Sequence, residues 1–166
     1  MPQSNETSLA TYQNLDGTNS TMLLRSFKEN VSKNLTLTGG FGISTNFKGT
    51  NPFILEGKAT FDVNKNFNVQ MRSRNSFASG NSSTQLRLST SYKTNVSDNT
   101  SIYVTPYVTE KYKFNNKEFS TDAGLFAGAT HKISPDLSVS GELQKYNGLD
   151  FSAKNWGVNV ILSHTF

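Results

Sequence analysis

The chain contains no cysteine, which excludes a disulfide framework and any thiolate metal site. Proline is scarce, at four in 166 residues, and tryptophan occurs once. No run approaches the ~18 consecutive apolar residues that a transmembrane helix needs. The first eight residues, MPQSNETS, lack the basic start and the apolar stretch of a signal peptide, so the chain reads as a mature form restarted with methionine or as a truncation. Sixteen basic and twelve acidic residues give a net charge of +4. They are scattered along the chain, whereas a nucleic-acid binder gathers its basic residues into a patch. Hydrophobic residues make up only 34%. Composition alone fits a poorly packed polar chain or a fold whose few apolar residues are strictly placed, and periodicity decides between them.

Four short segments resemble one another: NVSKNL (30–35), DVNKNF (62–67), NVSDNT (95–100) and KISPDL (132–137). Each has a β-branched residue followed by polar turn-formers, the chemistry of a tight hairpin turn. The β-branched residues Val31, Val63, Val96 and Ile133 are spaced by 32, 33 and 37 residues, and a further 33 reaches Phe166. Looser polar connections lie between them, at 48–52, 79–83, 115–118 and 147–153. A period of one hairpin of long strands, with tight turns alternating with loops, predicts a meander with one tidy and one irregular rim.

Between the turns the period is two. Leu35, Leu37, Phe41 and Ile43 alternate with Thr36, Thr38 and Ser44; Phe53, Leu55, Ala59, Phe61 and Val63 with Glu56, Lys58, Thr60 and Asp62. The same pattern runs through Phe67–Val69–Met71, Leu86–Leu88–Tyr92, Ile102–Val104–Val108, Leu125–Ala127–Ala129, Leu137–Val139–Leu143 and Trp156–Val158–Val160–Leu162. Strict alternation is the mark of a strand with two unlike faces. Parity carries through every tight turn, so eight strands place their apolar set on one face of one sheet.

The fold class expected is therefore all-β, an antiparallel up-and-down barrel, with two possible polarities. A soluble barrel turns the apolar face inward and would bind an apolar ligand; a transmembrane barrel turns it to lipid. Three features favour the membrane. The turn spacing leaves strands of about 10–14 residues, and a tilted membrane-crossing strand needs ~9–11. Glu56, Lys58, Asp62, Arg72, Arg74, Arg87, Lys93, Asp122 and Glu142 share the polar face, as a paired lumen charge network would. Phe47, Phe53, Phe77, Tyr92, Tyr112, Phe114, Phe119 and Trp156 sit near strand ends, where interfacial aromatic girdles fall.

On these features the chain resembles small bacterial outer-membrane β-barrel proteins, over residues 34–166. In that family the last strand ends in Phe, with apolar residues at every second position before it. In WGVNVILSHTF, Phe166, Leu162, Val160 and Val158 match after the opening Trp156, while His164 departs from the pattern. The resemblance implies the bacterial outer membrane as location, its lipids and the barrel-assembly machinery as partners, tight turns facing the periplasm and loops facing outside. A monomer is expected.

Residues 1–33 read as a separate N-terminal leader or amphipathic helix. Asn19 or Ser20 would cap a helix whose stripe is Leu23, Leu24, Phe27 and Val31. The alternative is another hairpin, giving ten strands instead of eight. It would turn Arg25 towards lipid, at a cost of ~2–4 kcal/mol near the midplane, and its first strand, around Leu9 to Leu15, alternates poorly.

No catalytic, cofactor or metal constellation is visible. There is no Gly-rich phosphate loop and no HExxH, and GGFG (39–42) falls within a strand, where it relieves crowding or bends the chain. His131 and His164 share the outward parity near the tight-turn rim. Barrel enzymes of the lipid A palmitoyltransferase, deacylase and protease kinds resemble this architecture, but place catalytic groups at the outer rim. The expectation is a non-enzymatic barrel serving as structural anchor, surface-loop binder or narrow pore, with an enzyme acting on lipid A or peptides as the alternative. A folded membrane barrel should migrate differently on a gel before and after boiling. A monodisperse monomer soluble in plain buffer would overturn the membrane reading.

Overall fold

In the computed structural model, residues 3–14, 19–46, 49, 51–149 and 154–166 are described. They form β1 (Gln3–Asn14), β2 (Asn19–Asn30), β3 (Leu35–Thr45), β4 (Phe53–Asp62), β5 (Phe67–Phe77), β6 (Ser83–Asn95), β7 (Thr100–Lys113), β8 (Glu118–Lys132), β9 (Leu137–Lys145) and β10 (Trp156–Thr165). Each strand pairs antiparallel with its sequence neighbours, and β1 pairs with β10, closing the barrel. The seam runs from Glu6↔Thr165 to Asn14↔Gly157.

The four repeated segments are four copies of one turn. The β-branched residue donates its N–H to the carbonyl at the start of the next strand: Val31 to Leu35 at 2.9 Å, Val63 to Phe67 at 3.0 Å, Val96 to Thr100 at 2.9 Å and Ile133 to Leu137 at 2.9 Å. The side chain one residue on accepts the N–H three positions later. Ser32 takes Leu35 at 3.1 Å, Asn64 takes Phe67 at 3.0 Å, Ser97 takes Thr100 at 3.1 Å and Ser134 takes Leu137 at 3.1 Å. Ser and Asn recur here because a short acceptor can reach back to the backbone. The last residue of each turn then bonds the next hairpin: the carbonyls of Asn34, Asn66, Asn99 and Asp136 accept from Asp62, Lys93, Lys132 and Thr165 at 2.7–2.8 Å. At the seam Phe166 N–H donates to the Asn5 carbonyl at 2.8 Å.

Apolar side chains face outward. Leu37, Phe41, Ile43, Leu55, Met71, Leu88, Val104, Val108, Leu143, Val160 and Leu162 are all exposed, far more apolar surface than the few hundred Å² a soluble monomer shows in one patch. This is the reverse of a soluble barrel with an apolar interior. Phe53 pairs with Phe77 and Tyr112 with Phe119 near the loop rim, and Tyr112 meets Phe114 edge-on at 5.3 Å. Phe47, expected in the same girdle, lies outside the described residues, as do Leu15 and parts of the connections at 48–52 and 147–153.

Two expectations are corrected. The barrel has ten strands, not eight, and no helix is present among the described residues. The stretch read as a leader or amphipathic helix within 1–33 supplies β1 and β2, and the last strand closes on β1. The helical stripe is split by the strand: Leu23 and Phe27 are exposed on the outer face while Leu24 is buried inside. The objection to Arg25 fails because its charge is not left in lipid. The guanidinium lies 4.7 Å from the Phe166 ring and 6.0 Å from that of Phe27, and Nη1 donates to Thr7 Oγ1 at 3.1 Å. A long side chain can carry its charge away from the position of its Cα, here onto the C-terminal aromatic at the turn rim.

Asn64 Oδ1 accepts from both Asn66 N–H, at 2.9 Å, and Phe67 N–H, at 3.0 Å. Replacing Asn64 with alanine should cost about 1–2 kcal/mol, read as a lower urea midpoint in lipid vesicles with an unchanged slope. Lys65→Ala beside it should leave the midpoint in place.

Candidate functional site

The polar parity of the strands lines a lumen. Two cavities occupy it, of ≈ 600 Å³ towards the loops and ≈ 530 Å³ towards the tight turns. Both are bounded by a belt that includes Tyr12, Met22, Glu56, Lys58, Arg74 and Ile161. An eight-stranded barrel is just filled by its side chains, and the extra hairpin β1–β2 provides the added girth.

At the belt, Glu56 is the hub. Its Oε2 takes Arg74 Nη2 at 2.6 Å and Nε at 2.7 Å, with Arg72 Nε at 3.9 Å. These residues meet because β4 and β5 pair Glu56↔Arg74 and Lys58↔Arg72 directly. Across the next ladder Arg72 opposes Arg87. Among the described residues Arg87 forms no salt bridge. Its Nε donates to Thr109 Oγ1 at 2.7 Å, and its guanidinium lies 4.0 Å from the Tyr107 ring centre and 5.2 Å from that of Phe126, within cation–π range. The Tyr107 and Phe126 rings are themselves 4.9 Å apart.

Two further lumen acids, Glu142 and Asp122, are held by neutral donors. Glu142 accepts from the Tyr103 hydroxyl at 2.8 Å and from Asn159 Nδ2 at 2.7 Å. Asp122 accepts from the Tyr107 hydroxyl at 3.2 Å and from the Asn147 N–H at 2.6 Å. Tyr107 in turn accepts from Gln144 Nε2 at 2.8 Å. Both tyrosines lie flat on the inner wall because their partners on β8 are glycines: Tyr103↔Gly128 and Tyr107↔Gly124. A Cβ at Gly128 would stand 2.9 Å from the Tyr103 hydroxyl, and one at Gly124 would run into the Tyr107 ring.

Of the nine residues expected as a lumen charge network, Glu56, Lys58, Arg72, Arg74, Arg87 and Glu142 line the loop-side cavity. Asp122 sits on the wall beside Tyr107. Asp62 borders the turn-side cavity and, like Lys93, is exposed near a tight turn. The carboxylate pairing is confined to Glu56 with Arg72 and Arg74 among the lumen groups described. The terminal-strand set is placed along the seam: Val158, Val160 and Leu162 are exposed outward, Trp156 is half-buried opposite Lys145, and Phe166 carries Arg25. His131 shares a hydrogen bond with Thr100 and His164 packs on Phe166 at 4.4 Å, and no metal-ligating cluster occurs among the described residues.

Sequence reasoning missed Lys111, Tyr103, Tyr107 and Phe126, although the alternation that assigned Arg87 inward assigns these inward too. It also missed an apolar inner wall. Ala10, Met22, Leu24 and Ile54 are buried together inside the barrel, with Tyr12 and Ile161 packed against them. The loop-side cavity carries Lys58, Arg72, Arg74, Arg87 and Lys111 against Glu56 and Glu142. The turn-side cavity carries Lys28, Lys58 and Arg74 against Glu6, Glu56 and Asp62. Among the described residues the basic excess therefore belongs to the loop-side half.

Glu56→Gln removes the carboxylate that faces Arg72 and Arg74. The expected loss is about 2 kcal/mol of stability, measured by urea unfolding from vesicles. Glu56→Gln combined with Arg74→Gln should recover part of it.

Comparison with known proteins agrees with this architecture. Among solved structures, the KdgM porin superposes with a TM-score of 0.57 at 14% identity, covering 98% of this chain and 99% of that one. The NanC porin gives a TM-score of 0.52 at 10% identity, covering 98% and 99%. At such identities the likeness is one of fold. No curated protein sequence matches significantly. The profile of one family spans both the β1–β2 hairpin and the seam, matching residues 7–163: the chain belongs to the outer membrane protein beta-barrel domain family.

Proposed function

We propose that this outer-membrane barrel is a narrow, non-enzymatic diffusion pore that favours anions. The observation that carries the reading is the pair of lumen cavities bounded by one shared belt of residues. A barrel serving only as an anchor has no need of that space. Charge supports the sign of the preference: among the described residues five cationic side chains face two acidic ones in the loop-side cavity, and three face three on the turn side. A cluster of cations lining a lumen raises the local concentration of anions. Two similar folds carry the name porin, and a further structure is the KdgM porin in complex with disordered oligogalacturonate. The likeness of fold makes pore function a natural reading without transferring a substrate.

Purified protein in planar bilayers should give discrete conductance steps and, under a potassium chloride gradient, a reversal potential of the sign for chloride preference. Arg72→Gln with Arg87→Gln should reduce the chloride-to-potassium permeability ratio by about twofold per charge removed. Absence of steps from protein with heat-modifiable migration would overturn the pore.

A further inference from the structure

In a closed ring of ten strands, β1 stands opposite β6, β2 opposite β7 and β10 opposite β5. That geometry sorts the lumen into two unlike walls. One is apolar, made by Ala10 on β1, Met22 and Leu24 on β2, and Ile161 on β10, joined by Ile54 from β4. The other is cationic, with Arg72 and Arg74 on β5 and Arg87 on β6. Tyr12, on the apolar side, lines the same cavity as Arg72 and Arg87. Met22, Ile54 and Ile161 border the same ≈ 600 Å³ space as the three arginines, a volume in the range of small-molecule sites, about 300–1,000 Å³.

The two arginines of that wall beyond the Glu56 pair are unevenly satisfied. Arg74 occupies Glu56 Oε2. Arg72 Nε is buried without a hydrogen-bond partner, with the Glu56 oxygen too far away at 3.9 Å. Arg87 is fixed by Thr109 and by the rings of Tyr107 and Phe126. A buried donor without an acceptor is costly, and a carboxylate is the acceptor whose two oxygens suit guanidinium geometry. Chloride or acetate would answer the charge but leave the aliphatic wall uncovered. A polyhydroxylated acid would bury hydroxyls against Met22 and Ile161, which cannot bond them.

We propose that the loop-side cavity is a binding site for amphipathic organic anions, small carboxylates whose aliphatic or aromatic body lies against Met22, Ile54 and Ile161 while the carboxylate meets Arg72 and Arg87. The site rests on the pore reading for access and deepens it by naming the class of solute.

The test is block of chloride current in planar bilayers by straight-chain carboxylates from acetate to octanoate. Each added methylene should tighten block about three- to fourfold until the cavity is filled. Alkylammonium ions of the same lengths, which partition into the bilayer but carry the wrong charge, should not block. Ile161→Ser with Met22→Ser should flatten the chain-length dependence. Arg72→Gln with Arg87→Gln should weaken every carboxylate by a similar factor and leave the dependence in place. Block that ignores chain length, or equal block by alkylammonium, overturns the proposal. Should the protein give no conductance, the pore reading falls alone. Hexanoate binding to the barrel in lipid nanodiscs, followed by saturation-transfer NMR, then decides the site: saturation transfer lost in the double arginine variant supports it, and none with the parent protein overturns it.

Discussion

Everything in this molecule depends on closure. Within hydrocarbon a backbone N–H or carbonyl has no water to bond, so a sheet survives there only when its first strand meets its last. The β1–β10 ladder meets that demand, from Glu6↔Thr165 to Asn14↔Gly157. It also explains why β1 is retained despite an indifferent outer face. Thr7, Thr11 and Gln13 contribute little to lipid contact, but their backbone completes the ring.

Closure at ten strands creates the interior and divides its labour. The space is too wide to be filled by one layer of small side chains, and the chain spends its inner positions unevenly. On β7 and β8, tyrosines lie over glycines and hold Glu142 and Asp122 with neutral donors. Among the described residues, neither Arg72 nor Arg87 forms a salt bridge with those carboxylates. On β1, β2 and β10 aliphatic groups pack on one another. The electrostatic character of the lumen therefore comes from which acids are withdrawn from ion pairing as much as from which bases are present.

The outer surface and the tight turns were legible in the sequence because each has a local cause. Alternation reports a two-faced sheet, and NVSKNL and its three relatives each place Ser or Asn where its oxygen reaches an N–H three residues on. The first hairpin was not legible for an equally local reason. In β1 the outward residues are Leu9 among Thr7, Thr11 and Gln13, while Ala10 and Tyr12 point inward, so hydrophobicity no longer marks the faces. In β2 Leu23 and Leu24 fall on opposite sides, which imitates a helical stripe. Arg25 looked forbidden on the lipid face because its fate depends on Phe166, 141 residues away in the chain and adjacent only after closure. In the lumen, single arginines were visible, but their partners lie on neighbouring strands whose register the sequence does not print.

The tight-turn rim has five joints. Four are covalent, at 31–34, 63–66, 96–99 and 133–136, and each passes its last carbonyl to the following hairpin. The fifth is the seam, where Phe166 N–H meets the Asn5 carbonyl and no peptide bond is involved. The β1–β10 ladder is antiparallel and in register like the ladders beside it. The strands are joined in one unbroken cyclic order. A circular permutant that bridges the seam with a copy of one of the four turns, and opens another, encodes the same ring.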